Sequence, residues 1–507
     1  MPAAIVQVSS PSPAAGRPTQ GEGDFDEKTF KTLNQIKHYF QNTESQMTQN
    51  NTTPNASNAG LSRREILRTT AAGFGTLALA GMLSDQARAA DKTKGHLSPK
   101  QPHFPAKAKR IIFLFLEGAF SQLDTWEYKP ELQAKDGKAG PGGGTLVGSK
   151  FKFKQHGQTG TWVSELFPNC AKHVDKLCFV RGLHTDTPAH PQAVIQLHTG
   201  AAIASLTRPS MGAWLMYGLG TENQDLPGYV TINPPPNFGG AINYGSAFMP
   251  ANYQGTKIND KGYLPNLQAA SDPRLQRKQL DFIQGLNEDF GGLAGAPDEL
   301  EGIIQSYELA FTMQGKVPEV LDFKNEPQEV LDAYGVQDGP AGSFARQCLM
   351  ARKLSEAGVR FVEVCDPGWD HHNNLNQGLK TRTKSVDQPI AALLADLEKR
   401  GMLEDTLVLF GSEFGRLPQA QGPDGRDHNI TGYPMWFAGA GVKPGFSFGA
   451  TDEFGREAVE GKMHTNDLHA TILALMGLDH EELTYPYAGR EFRLTDVAGK
   501  VAKEIFA

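Results

Sequence analysis

The sequence is poor in cysteine, has no excess of positive charge and lacks the motifs of several common chemistries. Four cysteines in 507 residues exclude a disulfide-stapled scaffold, and they show no haem or iron–sulfur spacing. Lysine and arginine number 49 against 56 aspartates and glutamates, a net charge of -7, so we expect no nucleic-acid partner. A P-loop, a His-Glu-x-x-His helix and a Cys-x-x-Cys pair are also missing, which excludes the functions that depend on them.

The first 90 residues have the composition of an export signal that follows a polar extension. We expect residues 1–60 to be disordered, because their Ser, Thr, Asn, Gln, Gly and Pro cannot bury enough apolar surface. Residues 61–90 contain the pair Arg63-Arg64, an apolar run from Thr69 to Leu83 and the small-x-small pattern Ala87-Arg88-Ala89. This order is typical of a twin-arginine signal peptide, and the run is shorter than the roughly 20 residues that a bilayer span needs. We therefore predict export to the periplasm or the extracellular space, without a stable membrane span after cleavage.

From Asp91 onward the chain has the alternating pattern of a large α/β domain. Four apolar runs are typical of parallel strands buried on both faces, namely Lys109–Leu116, Lys176–Val180, Val359–Val364 and Thr406–Phe410. Helical spacing and end signals predict helices at Gly342–Ala357, Leu379–Arg400 and Asp467–Met476. We predict one α/β domain over residues 91–507, with a mostly parallel sheet, helices on both faces and a helical and loop insertion near 239–327.

Histidines and carboxylates follow the predicted strands at the points where the strands end. Ligands of open α/β sheets bind beyond the carboxyl ends of the strands, so these segments are the first candidates for a site. Asp370 and His372 lie on one such segment, and Asp427 and His428 are adjacent on another. Histidine and carboxylate are the side chains that hold zinc and similar ions. The pattern predicts at least one divalent-metal site, with zinc, manganese and calcium as the candidate ions.

Several of these residues also have a purely structural explanation. Asp124 could cap the short helix after the first strand, and Glu413 could pair with Arg416. For His469, at the start of the last predicted helix, a packed surface position is favoured. His198 lies in an apolar stretch, which favours a core histidine whose nitrogens are both hydrogen-bonded.

Five segments together resemble one family. They are RIIFLFLEGAFSQLDTWEYKPEL, GWDHHNN, TLVLFGSEFGRLP, GRDHN and KMHTNDLHATILALMGLDH, and the resemblance extends from about Lys109 to Val497. The family is DUF1501, which has no known function and is grouped with the alkaline phosphatase and sulfatase-like superfamily. The resemblance implies a three-layer α/β/α sandwich with a divalent-metal hydrolase site at the strand ends.

The resemblance also implies the ligands of that site. Glu117 or Asp124 would fill the place of the superfamily's aspartate after the first strand. Asp370 with His372 is similar to a later Asp and His pair of the superfamily. Phe414 occupies the place of a superfamily histidine, and Asp427 with His428 would substitute for that histidine. The implied metal ligands are Asp124, Asp370, His372, Glu413, Asp427 and His428.

The place of the superfamily nucleophile is occupied differently in this chain. The superfamily uses a serine, a threonine or a modified cysteine at the start of a helix, and that place holds His190 here. Thr187, Ser121 or a metal-bound water could attack instead, and a histidine could act as nucleophile or as acid–base group. The guanidinium groups of Arg416 and Arg426 would stabilise the oxyanion, because their paired N–H groups can donate two hydrogen bonds to it. The candidate catalytic residues are His190, Arg416 and Arg426.

The leading hypothesis is an exported, metal-dependent hydrolase of a phosphate or sulfate ester, with a small molecule or a glycan as substrate. The ions would polarise the ester oxygen and lower the pKa of a bound water. The alternative is a catalytically inactive, exported binding module with the same fold, which holds a glycan or a partner protein. The missing nucleophile and Phe414 favour this alternative. The sequence leaves the oligomeric state open.

Overall fold

The apolar run Arg110–Glu117 is β1, the central strand of the main sheet in the computed structural model. Successive side chains of a strand point to opposite faces, and both faces of β1 are buried. One hydrophobic core contains Ile111, Phe113 and Phe115, and a second contains Ile112, Leu114 and Leu116. A strand that is apolar on both sides needs cover on both faces. The predicted strand Lys109–Leu116 is confirmed, with each end one residue further along the chain.

The described residues are 95–202, 206–264, 272–294, 298–337 and 343–507, and all of them belong to the unit Arg88–Ala507. The extension predicted at 1–60 and the signal peptide predicted at 61–90 lie outside the described residues. Over the described ranges, no helix combines the length and the apolarity that a membrane crossing requires.

The strands after β1 form one large sheet and several small ones. They are β2 (Phe153–His156), β3 (Thr161–Ser164), β4 (Leu177–His184), β5 (Tyr229–Ile232), β6 (Thr256–Ile258), β7 (Phe361–Pro367), β8 (Thr406–Gly411), β9 (Gly415–Gln421), β10 (Gly425–Asn429), β11 (Tyr433–Gly439), β12 (Ser447–Phe448), β13 (Ala450–Thr451), β14 (Ala458–Glu460), β15 (Met463–His464), β16 (Tyr485–Tyr487) and β17 (Arg490–Phe492). The large sheet has nine strands in the order β12-β4-β11-β8-β1-β7-β5-β6, with β15 beside β4. Within this sheet β11 alone runs antiparallel to its neighbours, so the sheet is mostly parallel.

Helices cover both faces of the large sheet. They are α1 (Pro130–Ala134), α2 (His190–Thr199), α3 (Met211–Leu219), α4 (Pro273–Ala294), α5 (Asp298–Leu321), α6 (Gln328–Tyr334), α7 (Ser343–Glu356), α8 (Leu375–Lys399) and α9 (Thr465–Leu475). Residues of α2, α3 and α9 join the core on one face of β1, and residues of α5, α7 and α8 join the core on the other. The architecture is a three-layer α/β/α sandwich, which confirms the predicted fold class.

Local chemistry explains where the prediction and the structure differ. The helix predicted at Asp467–Met476 begins earlier, because His464 is its N-cap and Asp467 accepts a hydrogen bond from the His464 backbone N at 2.9 Å. The strand β11 was not predicted, since Pro434 interrupts its apolar run, and the register of β11 on β4 shifts at this proline. Part of the segment 239–327, expected as an insertion, joins the large sheet as β6.

A histidine and a glutamate are paired inside the core between α2 and β7. Nε2 of His198 lies 2.5 Å from Oε1 of Glu363, and its Nδ1 lies 2.7 Å from the carbonyl oxygen of Val194. Oε2 of Glu363 accepts a hydrogen bond from Thr231 at 2.8 Å. Burial disfavours the charged imidazole, but Glu363 outweighs burial and raises the pKa of His198. The expectation that His198 is a core histidine with both nitrogens bonded is confirmed.

The buried pair predicts a strong asymmetry between single and double substitutions. Glu363→Leu leaves the His198 imidazole without its carboxylate partner and should lower the free energy of unfolding by about 3–5 kcal/mol. The double variant Glu363→Leu with His198→Leu removes both polar groups, so its free energy of unfolding should fall by less than that of the single variant. Urea denaturation of residues 91–507 measures both values. A double variant that is less stable than the single one would contradict this account of the pair.

Candidate metal centre

Three imidazoles and one carboxylate meet at the carboxyl edge of the sheet. The Nε2 atoms of His372, His190 and His428 lie 2.8, 3.2 and 3.5 Å from Oδ1 of Asp370. One ligand atom from each of these four residues lies within 4.8 Å of the other three, and we call the four residues the ligand group. The side chain of His190 is 6% exposed, whereas that of Asp370 is 34% exposed. The ligand group is therefore buried on one side and open on the other.

Parallel strands bring these residues together from distant parts of the chain. His190 is the first residue of α2, which follows β4, and Asp370 and His372 lie in the loop between β7 and α8. His428 lies in β10, where it pairs with Arg416 of β9, the strand that follows β8. Because β4, β7 and β8 run in the same direction, their carboxyl ends meet at the same edge of the sheet.

Each histidine of the ligand group presents Nε2 to the centre because its Nδ1 is engaged elsewhere. We infer a proton on each Nδ1 from these partners, which are all hydrogen-bond acceptors. Such a partner on the far nitrogen is the usual arrangement around metal-binding histidines, since it orients the ring and leaves the other nitrogen free to bind. Nδ1 of His190 donates to Glu413 at 2.6 Å, that of His372 to the side-chain oxygen of Gln421, and that of His428 to the carbonyl of Pro188 at 2.6 Å. Nε2 of His372 and Nε2 of His428 share a hydrogen bond of 2.8 Å, which a bound cation would replace.

Negative charge at the centre governs the ionisation of its neighbours. Burial disfavours the charged form of Asp370, but the adjacent side chains of His190, His428 and Arg416 outweigh burial and hold its pKa well below the usual range. Burial would also lower the pKa of His190, but the nearby carboxylates of Asp370 and Glu413 raise it to about 9. The site thus favours a positive charge at Nε2 of His190, where a bound cation would displace a proton.

Two further carboxyl groups lie next to the ligand group without joining it. Glu413 was predicted as a metal ligand, but its Oε1 accepts hydrogen bonds from His190 and from the backbone N of Gly118 at 3.0 Å. The hydrogen bond to Nδ1 would orient the His190 ring. Glu117, at the end of β1, is buried, and burial together with the charge of Glu413 raises its pKa to about 7. A carboxyl group with this pKa can take up or release a proton near neutral pH.

Arg416 fixes the loop beneath Asp370. Its buried guanidinium donates to Oδ1 of Asp370 at 2.6 Å and to the carbonyl oxygens of Gly118 and Ala119 at 2.5 and 2.7 Å. These bonds hold it on the buried side of Asp370, so the geometry supports a positioning role and not the predicted contact with an oxyanion. The pair expected between Glu413 and Arg416 does not form, because each has the other partners described above.

Asp124 and Arg426 bind each other outside the ligand group, although one was predicted as a metal ligand and the other as an oxyanion stabiliser. Nε of Arg426 lies 2.8 Å from Oδ2 of Asp124, which also accepts from Ser121 at 2.6 Å. The remaining donors of Arg426 bond to Oδ1 of Asp124 and to three backbone carbonyls. Both side chains are buried, so no donor of Arg426 is left for a substrate. Asp124 ends the short helix Gln122–Asp124 and does not cap it.

Residues close to the ligand group in sequence are not always part of it. Asp427 was predicted as a ligand, but it is exposed and its Oδ1 accepts a hydrogen bond from the backbone N of His428 at 2.8 Å. His371 is also outside the group, and burial lowers its pKa to about 4. His469 is not the surface residue that we expected, since it is buried and its Nε2 bonds to the carbonyl of Leu197 at 2.7 Å.

Sequence reasoning missed several residues that support the ligand group. The ring of His190 lies between those of Phe238 and Phe414, with ring centroids 5.2 and 4.7 Å away. Phe238 lies in an irregular loop after β5 and belongs to no periodic pattern. Gln421 is one amide in an exposed hairpin, and Pro188 contributes only its backbone carbonyl. A backbone acceptor leaves no signal in a sequence.

One Gly-x-Ser-x-Gly sequence is present, at residues 445–449, but it is not a nucleophile elbow. The elbow requires a sharp turn between a strand and a helix. Ser447 instead lies in the edge strand β12, where its hydroxyl accepts a hydrogen bond from Arg181 at 2.9 Å. The serine is therefore explained by its place at the sheet edge.

The fold and the ligand group define an α/β sandwich protein with a candidate divalent-metal centre at the carboxyl edge of its sheet. The family model DUF1501, a protein of unknown function, matches residues 108–506. The chain therefore belongs to the DUF1501 family. No curated protein matches the chain.

Solved structures of alkaline phosphatases, sulfatases and related enzymes show a distant similarity. The lipoteichoic acid synthase LtaP from Listeria monocytogenes is 10% identical with a TM-score of 0.35, over 78% of each chain. The PsFucS1 sulfatase from Pseudoalteromonas sp. is 13% identical with a TM-score of 0.34, over 74% of this chain and 68% of that one. The alkaline phosphatase from the Antarctic bacterium TAB5 is 13% identical with a TM-score of 0.31, over 73% and 98%. At such values these similarities support no argument about activity.

The ligand group predicts that one divalent ion binds to each chain. After dialysis against zinc and removal of excess metal, mass spectrometry should detect the ion in the wild type and in Asp427→Ala, but little in His428→Ala. Asp427→Ala is the matched control, because Asp427 adjoins His428 and lies outside the ligand group. Glu413→Gln, which weakens the acceptor of His190, should lower the affinity by about 10- to 100-fold. Equal metal contents in His428→Ala and Asp427→Ala would refute the site.

Proposed function

We propose that this protein is an exported, metal-dependent hydrolase of phosphate or sulfate esters that uses one divalent ion. The observation that supports this most directly is the convergence of three Nε2 atoms on one oxygen of Asp370, with every Nδ1 bound to an acceptor. Asp124, Glu413 and Asp427 have other partners, so the ligand group suffices for one ion and not for two. The export step rests on the composition of residues 61–90 and stays a prediction.

The donor set favours zinc among the three candidate ions. The ligand group offers three imidazole nitrogens and one carboxylate oxygen, a combination that zinc accepts in many proteins. Calcium is bound by six to eight oxygens and manganese prefers oxygen-rich sites. A zinc ion held there would act as a Lewis acid on the ester oxygen and would lower the pKa of a water molecule that it binds.

The hydroxyl groups suggested by the sequence do not support a covalent route. The hydroxyl of Ser121 is buried and donates to Asp124 at 2.6 Å. Ser412, which the sequence did not suggest as a nucleophile, is also buried and donates to a backbone carbonyl at 2.5 Å. The hydroxyl of Thr187 accepts from a backbone N at 3.2 Å. We therefore propose that water attacks the ester, and that the open side of Asp370 and His372 admits the substrate.

A catalytically inactive binding module is the second candidate function. Structural zinc sites are closed by four protein ligands, whereas catalytic sites usually keep one position open for water or substrate. The ligand group provides four residues, which is the number of a closed site. The same ion would then stabilise the loops around a binding cleft instead of taking part in a reaction.

Hydrolysis assays separate the two functions. The zinc-loaded protein should hydrolyse at least one of p-nitrophenyl phosphate, bis(p-nitrophenyl) phosphate and p-nitrophenyl sulfate. His428→Ala should lower kcat/KM by at least about 100-fold, because the Lewis acid is lost, and Asp427→Ala should change it by less than about threefold. Chelation should abolish the activity and added zinc should restore it. Full zinc occupancy without turnover of any of the three esters would reject the hydrolase and favour the binding module.

A further inference from the structure

A cavity lies beside the sheet, apart from the ligand group. Its volume is about 700 Å³, which is within the range of roughly 300–1,000 Å³ that is typical of small-molecule sites. The cavity opens where β6 and β7 end, and α7 and α8 form its walls. None of the four residues of the ligand group lines it. It is therefore a separate place at which a ligand could bind.

The lining offers hydrogen-bonding groups that the described protein does not use. Gln347 of α7 is 1% exposed, and its side-chain nitrogen donates to Ser343 at 3.2 Å. Its oxygen has no hydrogen-bond partner among the described residues, although it is buried. An unpaired buried acceptor is unfavourable, and a ligand with a donor group would satisfy it.

Charged groups of both signs line the same cavity. Asp366, at the end of β7, accepts a hydrogen bond from Trp369 at 2.9 Å through one oxygen, and the guanidinium of Arg382 donates no hydrogen bond to any described residue. Asp260 and Lys261 add one further charge of each sign. Two acids and two bases give the lining no net charge. Burial raises the pKa of Asp366 to about 6, so at neutral pH its carboxylate is ionised and would gain from additional donors.

Neutral sugars match this combination of donors and acceptors. A hydroxyl group can donate to Gln347 or Asp366 and can accept from Arg382, so one ligand can satisfy all three. A simple anion or cation would meet a repelling group as well as an attracting one. Phe344 and Pro367 contribute apolar surface beside these polar groups, which suits the mixed polar and apolar surface of a sugar. We propose that this cavity binds a short neutral oligosaccharide through its hydroxyl groups.

The proposal does not depend on the metal centre or on ester hydrolysis. An array of neutral and sulfated oligosaccharides identifies the best ligand, and calorimetry with the strongest neutral oligosaccharide then measures its Kd. We expect saturable binding that chelation and His428→Ala leave unchanged. Arg382→Met and Gln347→Met should each weaken the binding at least about tenfold, as the loss of a buried hydrogen bond would. Lys384→Met is the matched control, since it removes one positive charge from the exposed side of the same helix.

Three results would overturn the proposal. The first is the absence of binding to every neutral oligosaccharide of the array, with the circular dichroism of a folded protein. The second is preferential binding of a sulfated oligosaccharide, or of glycine as a zwitterionic control. The third is equal binding by Arg382→Met and Lys384→Met. An inactive protein that still binds the oligosaccharide would reject the hydrolase and leave the cavity proposal intact.

Discussion

One carboxylate oxygen, Oδ1 of Asp370, determines the arrangement of the carboxyl edge of the sheet. It accepts a hydrogen bond from the buried Arg416 at 2.6 Å, and three imidazole nitrogens lie within 3.5 Å of it. A partly buried carboxylate stays ionised only where donors compensate for lost water. The donors come from the first residue of α2, from the hairpin β9-β10 and from the loop after β7 itself. Displacement of any of these segments would leave charge uncompensated, so the site and the folded loops stabilise one another.

Hydrogen-bond partners distinguish the two arginines that were expected to act alike. Both guanidiniums are buried. Arg416 contacts the ligand group through Asp370, whereas Arg426 donates its hydrogen bonds to Asp124 and to backbone carbonyls. A guanidinium that is fully hydrogen-bonded inside the protein holds chain segments together, since it has no donor left for a ligand. The edge of the sheet therefore has a rigid buried base. Its open side consists of Asp370 and His372, the more exposed members of the group.

The loop after β7 connects the metal centre to the polar cavity. Asp366 lines the cavity and Asp370 belongs to the ligand group, and Trp369 links them by donating its indole N–H to Asp366 and its backbone N–H to the carbonyl of Glu117. Gly118 makes this approach possible, because a Cβ there would lie 2.7 Å from the backbone N of Asp370.

The sequence by itself determined four strands and three helices around the core, namely β1, β4, β7, β8, α7, α8 and α9, and the residue types at the edge. Apolar runs such as Arg110–Glu117 can only be buried on both faces, and this condition is local. Which polar residues become partners was decided only by the tertiary structure. Asp124 and Arg426 are 302 positions apart, and His190 and Glu413 are 223 positions apart. Each pair meets only because the order of strands in the sheet places their loops side by side. A hydrogen bond is effective only over a few tenths of an ångström, and this distance depends on packing between elements that no local pattern describes.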